Sequence, residues 1–118
     1  MLESEILAAA RQNRIGELRR LIALRANINA RDEDDSTPLM LVSSLEATKI
    51  LLEAGADPLL GNREGWCALD GAIESEDLER QKVLAIASAK KRNLVEIKEN
   101  DTNEIIVYKL ITSLLYES

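Results

Sequence analysis

Asn29-Ala30-Arg31-Asp32-Glu33-Asp34-Asp35-Ser36-Thr37-Pro38-Leu39, followed by Ile50-Leu51-Leu52-Glu53-Ala54-Gly55-Ala56-Asp57-Pro58, is the stretch whose reading decides the fold. It opens on an acidic turn. Thr37-Pro38 then places a cap residue before a proline in the first helical turn. Leu39 and Val42 face inward, and Ser43-Ser44 ends this helix early. Ala47, Ile50, Leu51 and Ala54 follow at i, i+3, i+4 and i+7, the inward stripe of a second helix. Gly55 supplies a left-handed stop and Pro58 prevents resumption. A turn and two short helices make one stackable unit.

The chain on either side echoes it. Ser4 is read as the cap of a helix carrying Ile6, Ala9 and Ala10, which breaks at Asn13-Arg14. Ile15, Leu18, Leu21 and Ile22 form its partner, with Arg14, Glu17, Arg19 and Arg20 mostly outward. After the central unit, Asn62-Arg63-Glu64-Gly65 is a new turn signal. A short helix at Ala68 to Ile73 follows, then a longer one from Leu78 to Ala89, inward through Val83, Leu84 and Ala87. Lys90-Lys91-Arg92 suits a helix C-terminus. Asp101-Thr102-Asn103-Glu104 resembles a capping box, and Ile106 to Leu115 carries a terminal helical stripe.

Aligning the chain with itself sets Asp32 on Asn62, Leu39 on Leu69, Val42 on Ala72 and Arg25-Ala26 on Gly55-Ala56, each a shift of 30 residues. Gly55-Ala56 falls on Ser88-Ala89 at a shift of 33. The difference arises where the second unit is short by about three residues, at Ser43-Ser44. A turn plus two antiparallel helices at that period implies a linear stack, each unit covering its neighbour's apolar face.

These residues resemble the ankyrin repeat. The family's Thr-Pro-Leu and Gly-Ala-Asp signatures stand as Thr37-Pro38-Leu39 and Gly55-Ala56-Asp57. Ala9-Ala10 and Gly65-Trp66-Cys67-Ala68-Leu69-Asp70 are degenerate forms. The resemblance covers roughly residues 4–93. It implies an all-α solenoid of stacked helix-turn-helix repeats with short turn or β-hairpin fingers and a C-terminal capping helix. The expected repeats are 4–31, 32–61 and 62–93, with a cap over 94–118, all in a single domain. The family's helix-start histidine is replaced by Leu7, Met40 and Asp70. Cys67 and Ala68 replace Thr and Pro, and the third unit lacks the stop glycine, so its helix start and end are expected to be weak.

Composition agrees with helix-on-helix packing. Apolar residues make up 46% of 118, Phe is absent, and aromatics total 3%, so the core must be Leu, Ile, Val and Ala. The net charge of -6 disfavours phosphate backbones and anionic membrane surfaces and favours a basic partner. One cysteine permits no intramolecular disulfide. No apolar run approaches the roughly 20 residues of a membrane span, and Glu3 and Glu5 interrupt any secretory segment after Met1. A cytoplasmic protein is expected.

Chemistry is sparse. There is no histidine, no metal-ligand spacing and no glycine-rich phosphate loop, so no catalytic residue, metal or cofactor is expected. The family resemblance instead implies a concave binding face. Its variable positions fall on Arg11, Gln12, Glu33, Asp34, Ser36, Ser44, Arg63, Glu64, Trp66, Glu74 and Ser75, with Asp35 beside them. Trp66 reads either as an exposed anchor or as a ring packed over a neighbouring segment. The acidic tips read either as a steering surface or as solvated turns. The expected function is to bind another protein, one with a basic surface. Inhibition of a cognate toxin or enzyme, as by an immunity protein, is one alternative. Self-association through the terminal helix is another, with a monomer favoured over a homodimer.

Overall fold

The computed structural model describes residues 2–91, and the expected cap over 94–118 lies outside them. Six helices follow in order: α1 (Leu2–Arg11), α2 (Ile15–Ala23), α3 (Pro38–Leu41), α4 (Leu45–Glu53), α5 (Ala68–Glu74) and α6 (Leu78–Lys91). They pack in two rows. α1, α3 and α5 form the inner row, α2, α4 and α6 the outer, and each inner helix also packs on the outer helix that follows it.

The apolar periodicity is spent as its spacing requires. Ile6, Leu18, Leu21, Leu39, Leu51 and Leu84 are fully buried, each contributing about 1.5–3 kcal/mol relative to exposure. Ala9, Ala10, Ala47 and Ala72 are buried, and their small side chains let neighbouring helices approach closely. Ile15, Ile22 and Leu69 pack against this core while keeping an exposed edge.

Four helices end in the same way. The residue after the last turn is left-handed: Asn13 (φ 52°), Arg25 (φ 62°), Gly55 (φ 99°) and Glu76 (φ 57°). In each case the following N–H reaches back five residues: Arg14 to Ala9, Ala26 to Leu21, Ala56 to Leu51, Asp77 to Ala72. Paired bonds of this kind satisfy carbonyls that a helix end leaves unbonded. Gly55 was legible as such a stop. The other three use side-chain-bearing residues in a conformation that costs roughly 1–2 kcal/mol outside glycine.

Two expectations are corrected. α1 begins at Leu2, so Ser4 is a first-turn residue and not its cap. α6 runs through Ser88 and Ala89 to Lys91. Ser88 donates its hydroxyl to the Leu84 carbonyl and Ala89 is buried; with no left-handed residue there, good helix formers carry the helix on. Ile73, at the end of α5, is 54% exposed.

The third helix start is better built than Cys67 and Ala68 promised. The Asp70 carboxylate accepts the Cys67 backbone N–H at 2.9 Å and its thiol at 3.4 Å. Thr37 has no such help. Met40 stands where Asp70 does, and Thr37, 1% exposed, has no hydrogen-bond partner for its hydroxyl among the described residues.

Candidate functional site

Two finger tips rise beside the inner helices, built by one device used twice. Asp32 Oδ1 accepts the N–H groups of Asp34 and Ser36, both at 2.9 Å. Asn62 Oδ1 accepts those of Glu64 at 2.9 Å and Trp66 at 3.0 Å. The Asp32 N–H then bonds the Ser36 carbonyl, and the Asn62 N–H bonds that of Trp66. Each tip turns through a left-handed residue, Asp35 (φ 63°) in the first and Gly65 (φ 84°) in the second. The fingers are turns, and no strand occurs among the described residues.

Arginines bind the tips together. Arg63 donates its backbone N–H to the Asp34 carbonyl at 2.9 Å and its guanidinium to the Glu33 carbonyl at 2.6 Å. Arg31 reaches the Gly61 carbonyl at 2.9 Å. Arg11, from α1, pairs with Asp32 at 2.8 Å. Burial pushes the Asp32 carboxyl up, but the N–H groups of Ser36 and Asp34 and the Arg11 guanidinium outweigh it, so its pKa lies below the ordinary value.

This leaves the face with a defined electrostatic character. Arg11, Arg31 and Arg63 are each engaged. The carboxylates of Glu33, Asp34, Glu64 and Glu74 make no hydrogen bond or ion pair among the described residues, and all four residues are exposed. Between α1 and the first finger lies an open groove lined by Ser4, Leu7, Arg11, Arg31, Asp32, Glu33 and Asp34. Trp66, on the second finger, is 45% exposed.

The remaining candidates are placed differently. Gln12 is exposed at the end of α1. Ser36 is half-buried, with its backbone committed to the first tip. Ser44 caps α4 by accepting the Ala47 N–H at 3.1 Å, and donates to Asn13 Oδ1 at 3.1 Å. Ser75 donates its hydroxyl to the Gly71 carbonyl. Arg31, which lines the groove, was not singled out in the sequence, although its place beside an acidic turn was a usable signal.

Among the described residues, no group of three or more His, Cys, Asp or Glu is placed to hold a metal ion. None of the described helices is long and apolar enough to cross a membrane.

Stacked helix pairs with capped turns and an exposed finger face define a helical-repeat protein. No family model matches the chain. Protein glp-1 of Caenorhabditis elegans is 34% identical over 95 residues, which cover 78% of this chain and 7% of that protein. Protein lin-12 of the same organism is 28% identical over 96 residues, covering 79% of this chain and 7% of that protein. Both contain ankyrin repeats. This chain has an ankyrin-like helical repeat fold, and it spans about 7% of the length of either relative.

Proposed function

We propose that the chain binds a partner protein with a basic surface through its finger face, with Trp66 as the apolar anchor. The observation that carries this reading is the exposed indole of Trp66 on a finger whose neighbouring carboxylates, Glu33, Asp34 and Glu64, are unpaired among the described residues. An aromatic ring on a rigid turn gives contact area at low entropic cost. Unpaired carboxylates around it speed encounter with a cationic partner more than they deepen the final complex. The groove along α1 extends the same face.

The test uses two baits on lysate from the native source: the wild-type chain, and a variant with Glu33→Gln, Asp34→Asn and Glu64→Gln. These substitutions leave every finger hydrogen bond in place, because only backbone groups of the three residues are used. A protein captured by the first and lost by the second is then purified and its association rate measured at low and high salt. The reading expects the rate to fall as salt rises. A partner bound equally by both baits, at a rate insensitive to salt, would overturn the basic-partner reading.

A further inference from the structure

The second unit is missing a turn, and the structure fills the gap from both sides. α3 has four residues where α5 has seven, and the shortfall lies at Val42 to Ser44. A helix cut this short leaves carbonyls and the next helix's N–H groups to be met from elsewhere. Asn13, in the left-handed cap of α1, accepts the Ser44 hydroxyl at 3.1 Å and the Ser43 N–H at 3.4 Å. From the other side comes Arg80, in the first turn of α6. Its Nη2 donates to the Val42 carbonyl at 3.1 Å and its Nε to Thr48 Oγ1 at 3.1 Å. Thr48 in turn donates its hydroxyl to the Ser44 carbonyl at 2.9 Å.

Arg80 is an unusual occupant. It is 5% exposed, and no carboxylate lies within ion-pair distance of it among the described residues. The aligned residue of α4, a shift of 33 earlier, is Ala47. Burying a cation against neutral acceptors is costly, and an apolar residue at such a site is often as stable or more so. Its geometry supplies what an apolar residue cannot, a rigid fork that meets two acceptors at once. Among the described residues, Arg80 is also the only side chain of α5 or α6 that hydrogen-bonds α3, α4 or the loop between them.

The geometry points to a latch. Arg80 stands in for the absent helical turn and couples the helices of the third unit to the second, while the Trp66 finger is tied separately to the first finger by Arg63 and Arg31. With the latch closed the units open together. With it open, the third unit reaches a locally unfolded state on its own.

The test is hydrogen exchange on the full chain, with Trp66 fluorescence and far-UV circular dichroism followed through a urea titration. For the wild type the two optical transitions coincide. Arg80→Met fills similar volume but strands the Val42 carbonyl. Its α5 and α6 amides should exchange about tenfold faster or more, those of α1 and α2 less than about twofold faster, and the fluorescence transition should precede the dichroism transition. Arg80→Lys meets one acceptor at a time and should show the same pattern at smaller amplitude. It decides the matter if the methionine variant does not fold. Equal acceleration in all six helices, unchanged or slower exchange in α5 and α6, or wild-type transitions that already separate would each overturn the latch.

Discussion

Asp32 and Asn62 perform the same backbone task one repeat apart, each using a single side-chain oxygen to gather two N–H groups of its finger. Asp32 alone adds a charge, which Arg11 meets. Asn62 therefore shows what Asp32→Asn would keep and what it would lose. At neutral pH the substitution should cost under about 1 kcal/mol, the range of a partly exposed ion pair, with the turn intact.

Acid should separate the two forms more clearly. The folded Asp32 carboxyl titrates below its ordinary value. It therefore stabilises the fold above the unfolded value near pH 4, and that contribution is lost as pH falls through the lower, folded value. Urea midpoints measured at decreasing pH below about 4 should drop less steeply for Asp32→Asn than for the wild type. Parallel curves would show that the Asp32 charge contributes nothing.

Arg25 and Gly55 hold the same left-handed place after α2 and α4. Arg25 is exposed, and its side chain makes no hydrogen bond among the described residues. Arg25→Gly should raise stability by roughly 0.5–1 kcal/mol, the strain relieved less the entropy that glycine adds to the unfolded chain. Gly55→Ala should lower it by a similar amount, although open space surrounds the site. Urea unfolding of the two variants checks both signs.

Thr37 and Ser44 are both N-cap residues with opposite fates. Ser44 caps α4 and bonds Asn13, so Ser44→Ala should cost about 1–2 kcal/mol. The Thr37 hydroxyl is buried and unpartnered among the described residues, so Thr37→Val should be neutral or stabilising by up to about 1 kcal/mol. Calorimetric melting of the two variants distinguishes them; a large loss in Thr37→Val would reveal a partner for that hydroxyl.

Much of this arrangement was legible in the chain. Gly55, Thr37-Pro38 and the stripe through Ala47, Ile50 and Leu51 obey local rules, and local rules survive folding. Self-alignment exposed the short second unit for the same reason. What closes the gap was not legible. Arginine is ordinarily a surface residue, and only the missing turn makes room for a buried guanidinium at Arg80. Asn13, Arg25 and Glu76 terminate helices without the glycine that announces such an end. Ser44, read from its position as a contact residue, has its hydroxyl spent on a cap, while the exposure of Trp66 depends on what packs beside its finger, which composition does not encode.

Trp66→Ala bears most directly on the finger face as a binding surface. With 45% of the residue exposed, and with the finger bonds made by its backbone alone, the substitution should leave the dichroism spectrum and melting curve close to wild type. Titrating the captured partner against both forms by isothermal calorimetry should then show a loss of about 2 kcal/mol or more in binding free energy, as for a central aromatic anchor. Unchanged affinity in a folded Trp66→Ala chain, or a chain that unfolds when the ring is removed, would contradict it.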